Sequence, residues 1–302
     1  MSGLALLGAY GGDLIFGDPR RLHPVAGFGS VAGQLERVAY APSRLRGALV
    51  TGLLVLGAAG AAQLLARGTS RGVALAFVGW ASIGGRSLRA EARAVDAYIA
   101  REDLTGARER LRSLCGRDAA ELDTQGLARA VVESLAENTS DAVVGALLWA
   151  AAGGPAGVAA YRAANTLDAM FGHRNDRYRQ FGWAAARLDD LMNWPVARTS
   201  ALLTCLAAPL VDGSPNATLR TVLRDGRAHP SPNAGVAESA FAGALHVQLG
   251  GPLAYGGEAD ARPVLGCGQP ATPQDIERAA RLSFAVATLA ALLSAALAQA
   301  RT

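Results

Sequence analysis

Three carboxylates stand four residues apart near the middle of the 302-residue chain, at Glu133, Glu137 and Asp141. On a helix this spacing places them in one acidic stripe, with Asn138 beside it. Like charges at this spacing destabilise a helix by about 0.2–0.5 kcal/mol per pair, so the stripe needs a countercharge: an arginine, an amine or a divalent cation. A solvated face with Arg129 as partner is the alternative. The stripe enters an apolar segment, however, where carboxylates are costly, and this favours a functional role.

The segment from Tyr161 to Arg198 is the richest in polar and charged side chains. Its first half predicts a helix face followed by a loop, which carry Arg162, Asn165, Asp168, His173, Arg174, Asn175, Asp176, Arg177 and Tyr178. A second predicted helix carries Arg187, Asp189, Asp190 and Asn193. Guanidinium groups bind phosphate or carboxylate through paired hydrogen bonds, and carboxylates with asparagine suit hard cations such as Mg²⁺. The segment therefore predicts either the polar groups of an ATP-dependent condensation or an Arg–Asp network that packs helices together.

Two shorter motifs contain similar residue types. Asp13, Asp18 and His23 lie around the end of the first apolar stretch, and Asn233 precedes a predicted helix that carries Glu238. Asn233 either caps that helix or meets a ligand. Turns and helix caps explain most of these residues equally well.

The composition excludes several kinds of site. The sequence contains no lysine, so all 29 basic side chains are arginines. A P-loop and a Schiff-base lysine are therefore excluded, and phosphates must meet arginine, backbone N–H groups or a metal. The three cysteines, Cys115, Cys205 and Cys267, are far apart in the sequence, which argues against a disulfide framework and against a zinc site.

The elements that position these groups are predicted to be membrane helices. Hydrophobic residues make up 51% of the chain and charged residues 18%, whereas an average soluble protein has about 25% charged residues. The apolar stretches are Leu4–Gly17, Gly47–Ala66, Gly72–Gly85, Ala142–Tyr161, Leu282–Ala300 and the shorter Ala201–Val211. Gly47–Ala66 carries no charge and has the length of roughly 20 residues that a bilayer crossing requires. A large soluble helical core is the alternative.

Two parts of the chain are predicted to fold back as hairpins. Gly153-Gly154-Pro155 interrupts the stretch Ala142–Tyr161, so we expect two half-helices there. This arrangement keeps the basic segments Arg86–Arg129 and His173–Arg187 together on the cytoplasmic side. Gly47–Gly85 predicts another hairpin, with its turn at Arg67–Arg71. Non-helical backbone at membrane depth must be buried or line a wet cavity, so the break is also a candidate wall of a site.

The predicted fold is an all-α, multi-pass helical membrane protein with broken and hairpin helices and cytoplasm-facing amphipathic helices. Residues 1–302 are expected to form a single domain. Within it we expect a polar helical insert at about 86–131, a polar loop and helix at about 162–198, and a Gly/Pro-rich segment at about 212–268. No sheet is expected, and the Gly/Pro-rich segment contains one predicted helix, Ala237–Leu249.

Several motifs together resemble the CobD/CbiB family of cobalamin biosynthesis. They read GDLIFGDPRRLHPV from Gly12, ESLAENTSDAVVGALLWAAAGG from Glu133, YRAANTLDAMFGHRNDRYRQFGWAAARLDDLMNWPVAR from Tyr161, and SPNAGVAESAFAGAL…LGGPLAYGG from Ser231. The resemblance covers nearly the whole chain in the right order. It implies adenosylcobinamide-phosphate synthase, a multi-pass enzyme of the cell membrane whose active face is expected to be cytoplasmic. Such an enzyme joins adenosylcobyric acid to aminopropanol or its O-phosphate by an amide ligation, with ATP and Mg²⁺ implied.

Residue type and position then suggest roles for individual residues in this reaction. Glu133, Glu137 and Asp141 are assigned to catalysis, holding the metal and the amine, with one of them acting as general base. Asp189 and Asp190 are assigned to Mg²⁺. The expected substrate-binding residues are Asn138, Asn165, Asp168, Arg174, Asn175, Arg177, Tyr178, Arg187, Asn233 and Glu238. The expected partners are the corrinoid, the amine, the lipid bilayer and other enzymes of the pathway, but not nucleic acid.

Two other functions stay open at this point. Broken helices and intramembrane carboxylates are also features of transporters, so a corrinoid transporter is one alternative. The family also resembles membrane signalling proteins linked to β-lactamase induction, so a membrane sensor is the other.

Overall fold

The computed structural model describes residues 2–19, 23–116, 119–173, 175–255 and 258–301, with the side chains of 252–255 and 258–261 left out. The described helices are α1 (Ser2–Phe16), α2 (Pro24–Ala39), α3 (Arg44–Gly68), α4 (Arg71–Ser82), α5 (Gly85–Ile99), α6 (Leu104–Leu111), α7 (Thr124–Asn138), α8 (Ala146–Phe171), α9 (Tyr178–Phe181), α10 (Trp183–Ala207), α11 (Pro215–Asp225), α12 (Ala234–Leu245) and α13 (Pro273–Ala300). A π-helical segment, Thr139–Gly145, joins α7 to α8, and a 3₁₀ turn, Ala208–Val211, follows α10. The strands are β1 (Val247–Tyr255), β2 (Glu258–Leu265) and β3 (Gln269–Pro270).

Four of the described helical runs are long and apolar enough to cross a membrane: Arg44–Gly68, Thr124–Phe171, Trp183–Val211 and Pro273–Ala300. The predicted all-α, multi-pass membrane fold is confirmed. The apolar stretch Ala201–Val211 is the end of a longer helical run that begins at Trp183. The first half of α10 contains polar residues such as Asp189 and a proline, Pro195. A search for apolar runs therefore finds only the second half of this helix.

The described chain divides into two compact units. The first comprises Met1–Gly84, Asp141–Asn193 and Ala290–Thr302, and the second comprises Gly85–Ser140 and Trp194–Leu289. The prediction of a single domain over the whole chain stays a prediction.

The first unit is built on two helical hairpins. α3 ends at Gly68 and α4 begins at Arg71, which confirms the predicted turn; the Ser70 hydroxyl caps α4 by accepting a hydrogen bond from Val73 N–H. The core between α2, α3, α8 and α10 is apolar. It is made of the buried side chains Ala32, Val50, Leu54, Val55, Ala163, Ala164, Leu167, Phe171, Phe181 and Ala185.

The second hairpin is α8 itself, which folds back at Gly154. This residue has φ +64° and ψ −151°, a conformation that essentially only glycine adopts. The Tyr161 hydroxyl lies 2.7 Å from the carbonyl oxygen of Asp141, although residues twenty apart in a straight helix are separated by about 30 Å. The predicted pair of half-helices is therefore confirmed. Arg301 Nη1 donates to the carbonyl of Ala152, two residues before the break, at 2.8 Å.

The second unit contains the predicted polar helical insert. α5 buries Leu88, Ala92, Val95 and Ile99, the apolar residues at helical spacing, so its amphipathic character is confirmed. On its outer face Arg93 forms two hydrogen bonds to Glu277, at 2.8 and 3.0 Å, and this pairing raises the pKa of Arg93. The Asp96 carboxyl has its pKa raised by burial and by the nearby charge of Glu277.

The same unit contains a small sheet that the sequence pattern did not predict. β1 and β2 form an antiparallel hairpin, and β3 pairs with β1 in parallel. The helix before the sheet is Ala234–Leu245 rather than Ala237–Leu249, because His246 takes a left-handed conformation and ends it. Gly250 and Gly251 both have positive φ at an irregularity in the pairing, and this bulge breaks the alternation by which strands are recognised.

The turn of α8 gives a direct test of the hairpin. Gly154→Ala should lower the free energy of unfolding by about 1–3 kcal/mol, because a Cβ disfavours this backbone conformation. Gly153→Ala is the matched control, since Gly153 has no atom within 4 Å of a Cβ position and no positive φ. The thermal unfolding midpoint in detergent measures both, and equal midpoints for the two variants would contradict the hairpin.

Candidate functional site

A chain of polar side chains joins α8 to α10 in the first unit. Arg162 Nη1 donates to Asn165 Oδ1 at 3.1 Å, and Asn165 Nδ2 donates to Asp189 Oδ1 at 3.3 Å. Asn193 Nδ2 donates to the same Asp189 oxygen at 3.0 Å. The helix period explains the set, because residues three or four apart share a face. We call these four residues and Tyr161 the α8–α10 network.

Tyr161 connects this network to the other half of the hairpin. Its hydroxyl lies 2.6 Å from Asn193 Oδ1 as well as 2.7 Å from the Asp141 carbonyl. Its ring stacks on Trp149, whose Nε1 donates to the carbonyl of Met192 on α10 at 3.2 Å. The half-helices of α8 and α10 are thus held together through polar contacts of buried or partly buried groups.

Three carboxylates interact electrostatically with the Arg162 guanidinium: Asp18, Asp141 and Asp189. Asp18 Oδ1 also lies 3.7 Å from Nε2 of His23, whose Nδ1 caps α2 by accepting from Val25 N–H. Carboxylates from three separate sequence motifs therefore interact with one cation. Sequence reasoning noted Asp18 and His23 but did not assign them to the site, since nothing local shows that they meet α8.

Asp168, the third predicted residue on this face of α8, lies at its C-terminal end. Its carbonyl accepts from Gly172 N–H at 2.7 Å, and its carboxylate occupies the space that a Cβ at position 172 would need. Glycine is therefore required at the end of this helix.

The predicted metal residues take different positions. Asp189 is 8% exposed within the α8–α10 network, whereas Asp190 pairs with Arg187 at 3.3 Å near the surface. In the described part of the chain, no three His, Cys, Asp or Glu side chains are grouped closely enough to hold a metal ion. The carboxylates of Asp189 and Asp190 fit Mg²⁺ only as one or two ligands of an ion that is otherwise bound by substrate phosphates and water. The assignment of Asp189 and Asp190 to Mg²⁺ stays a prediction.

The loop residues predicted to bind substrate form a structural contact with α2. Arg177 Nη2 donates to Glu36 at 2.7 Å, which raises the pKa of Arg177, and its guanidinium lies 4.3 Å from the ring centroid of Tyr40. The Tyr178 hydroxyl lies 3.3 Å from the same Glu36 oxygen, and Asn175 Oδ1 accepts from Tyr178 N–H. Arg174 lies outside the described residues.

The acidic stripe is divided between the units. Glu133, 1% exposed in the second unit, accepts a hydrogen bond from Gly250 N–H at 2.6 Å and so positions the start of the β-hairpin. Glu137 is exposed, and Asn138 Nδ2 donates to the Ser134 carbonyl one turn earlier in the same helix. Asp141 lies in the π-helical segment of the first unit, where the regular spacing of four residues no longer applies.

A second polar cluster lies in the second unit, around the start of α12. Arg198 Nη1 donates to Asn233 Oδ1 at 2.7 Å, so the Asn233 side chain does not cap the helix. Ser231 Oγ does so instead, by accepting from Ala234 N–H. Glu238, 1% exposed, lies on α12, where almost every residue is buried.

Comparison with known proteins points to one family. The family model described as CobD/Cbib protein matches residues 6–283. The chain is 50% identical over 285 residues to the cobalamin biosynthesis protein CobD of Mycobacterium tuberculosis, covering 93% of this chain and 91% of that protein. It is 44% identical to CobD of Geobacter metallireducens, with 94% and 92% covered, and 41% identical to CobD of Rhodobacter capsulatus, with 89% of each chain covered. No solved structure matches the chain.

The contact between Glu133 and Gly250 can be tested against its exposed neighbour one turn later. Glu133→Gln should lower the free energy of unfolding by about 1–2 kcal/mol, because a buried charge-assisted hydrogen bond becomes a neutral one. Glu137→Gln should change it by less than about 0.5 kcal/mol. Unfolding midpoints and hydrogen exchange of the Gly250 amide measure this, and unchanged exchange in Glu133→Gln would exclude the positioning role.

Proposed function

The chain belongs to the CobD/CbiB family and functions in cobalamin biosynthesis, and we propose on that premise that it is an amide-forming ligase. The proposed substrates are adenosylcobyric acid, aminopropanol or its O-phosphate, and ATP. The product is adenosylcobinamide or its phosphate. The observation that carries the proposal is the α8–α10 network, where one guanidinium, one carboxylate and two amides are hydrogen-bonded within an apolar helical unit. Two more carboxylates, Asp18 and Asp141, interact electrostatically with the guanidinium.

The chemistry explains why such a set is needed. A carboxylate and an ammonium group do not condense unaided in water, so a carboxylate oxygen must first attack the γ-phosphorus of ATP. The new O–P bond forms as the bond to ADP breaks, which gives an acyl phosphate and releases ADP. The amine must lose a proton before its lone pair attacks the activated carbon. The C–N bond then forms, the C–O bond to the phosphoryl group breaks, and phosphate leaves with the oxygen.

The side chains of the network match these steps. Arg162 is proposed to neutralise a phosphate or the substrate carboxylate, and Asp18 and Asp189 to hold the ammonium group and receive its proton. Asn165 and Asn193 fix the orientation of Asp189 through their amide hydrogen bonds. Mg²⁺, when bound with ATP, would supply charge neutralisation of the nucleotide phosphates. Of the three residues first assigned to catalysis, Asp141 is the one that interacts with Arg162.

We propose the cell membrane as the location, with the site open to the cytoplasm. The apolar spans support the membrane location. The orientation rests on the rule of excess positive charge on the cytoplasmic side, applied to the basic segments Arg86–Arg129 and His173–Arg187. Cytoplasmic ATP would then reach the site directly.

The reaction is tested by incubating purified membranes with adenosylcobyric acid, aminopropanol phosphate, ATP and Mg²⁺, and detecting the amide by mass spectrometry. Omitting each component in turn, and replacing the phosphorylated amine with free aminopropanol, identifies the substrates. Product that forms without ATP would contradict the activation step. Corrinoid that enters sealed vesicles chemically unchanged, with no amide in any mixture, would favour the transporter.

Within this assay, Asp189→Asn should reduce kcat/KM by about 100-fold, the loss typical of one positioned electrostatic group. Asp176→Asn removes an exposed carboxylate of the same unit and should leave the rate within about threefold. In a third variant, Asp190→Asn, kcat/KM should fall as far as in Asp189→Asn only if both carboxylates bind Mg²⁺. Full activity of Asp189→Asn would remove the α8–α10 network from the mechanism.

A further inference from the structure

An apolar groove of about 320 Å³ lies between α2, α3, α4 and α8 of the first unit, and it shares Arg162 with the site proposed for the reaction. Its walls include Ala58, Ala62, Leu65, Phe77, Ala159 and Ala163. The volume is at the small end of the range for ligand pockets, about 300–1,000 Å³. Of the four candidate spans, α3 is the least buried, with 22% of its apolar window covered, and the rim residues Leu65 and Phe77 are exposed. The groove is therefore open along a surface that lipid would cover.

The groove has three polar lining residues, Arg162, Ser82 and Thr166, and we call the part beside Arg162 its polar end. The hydroxyl of Ser82 donates to the Val78 carbonyl and that of Thr166 donates to the Arg162 carbonyl, so both oxygens keep lone pairs that can accept. Arg162 donates through Nη1 to Asn165, while its buried Nε has no hydrogen-bond partner among the described residues.

The same end lies next to the carboxylate of Asp18. Trp80 Nε1 donates to the Gly17 carbonyl at 3.1 Å, which ties the end of α4 to the N-terminal motif. Two residues beyond Ser82, a Cβ at Gly84 would lie 3.5 Å from an Asp18 oxygen. The polar end thus offers a guanidinium donor together with the carboxylates that interact with it.

We propose that the groove binds a membrane phospholipid whose head carries both a phosphate and a primary ammonium group. The phosphate pairs with Arg162, the ammonium group with Asp18, and one acyl chain fills the groove while the other stays in the bilayer. A volume of about 320 Å³ suits one chain better than two. A purely anionic head fits less well, because the carboxylates beside Arg162 repel it.

The head group must provide the selectivity. An acyl chain gains little by moving from the bilayer into an equally apolar groove, since lipid tails are as apolar as the side chains that would surround it. A comparison of lipids that have identical acyl chains and different head groups therefore distinguishes recognition of the head group from general solvation of the protein by lipid. The lipid head and a substrate phosphate compete for one guanidinium, so the binding is measured without substrates.

The experiment uses the full chain in nanodiscs of phosphatidylcholine that contain equal small amounts of phosphatidylethanolamine and phosphatidylglycerol with the same acyl chains. Native mass spectrometry after release counts the lipids that stay bound. Phosphatidylethanolamine should be retained at least tenfold over phosphatidylglycerol. Ala61→Trp, which fills the groove from α3, should abolish this preference, and Leu56→Trp, an exposed position of the same helix outside the groove, should not.

Equal retention of the two lipids by the unaltered protein would overturn the proposal, as would identical behaviour of Ala61→Trp and Leu56→Trp. Preferential retention of phosphatidylglycerol would show that Arg162 dominates binding of the head group. The proposed pairing of the ammonium group with Asp18 would then be wrong. A mass of two chains with no bound lipid would show instead that a second copy covers the groove. Because no corrinoid or ATP is present, failure here leaves the proposed ligation untouched.

Discussion

A polar side chain among apolar helices must find its partners inside the protein, because lipid offers none. The first unit meets this requirement by breaking α8. The turn at Gly154 brings Tyr161 back to Asp141, and α10 then supplies Asp189 and Asn193 on the facing side. Arg162, which would be costly alone at this position, interacts electrostatically with carboxylates from three motifs. The arrangement that satisfies these groups is also one that can bind charged substrates.

In the second unit the same requirement for internal partners is met for a backbone amide and for a side-chain amide. Glu133 accepts from the amide of Gly250, and Arg198 donates to Asn233, so two buried polar side chains tie strands and helices to each other. Neither contact requires a ligand. The residues of the family motifs thus include some that hold the fold and some that the proposed reaction would use.

Short motifs and apolar spacing predicted those parts of the fold that neighbouring residues determine. Gly153-Gly154-Pro155 is a break whatever surrounds it, and the apolar period of α5 determines which face of that helix is buried. The β-hairpin escaped prediction because the bulge at Gly250 and Gly251 destroys the alternation of its first strand.

Part of the site was predicted because it also depends on local spacing. The spacing places Arg162 and Asn165 on one face of a helix and Asp189 on a second helix, and the structure brings the three side chains together. The bond from Gly250 to Glu133 joins residues 117 positions apart, and no local pattern could reveal it. The approach of Asp18 to Arg162 is likewise a product of tertiary packing.

Arg162 and Asp189 are proposed to act on one bound substrate as parts of a single site. A double-mutant cycle of Arg162→Gln and Asp189→Asn, measured as kcat/KM for amide formation, determines whether the two residues are coupled. If the two residues act as a unit, the double variant will be about as slow as the slower single variant. If the two losses multiply, the residues contribute independently, and the shared site is contradicted.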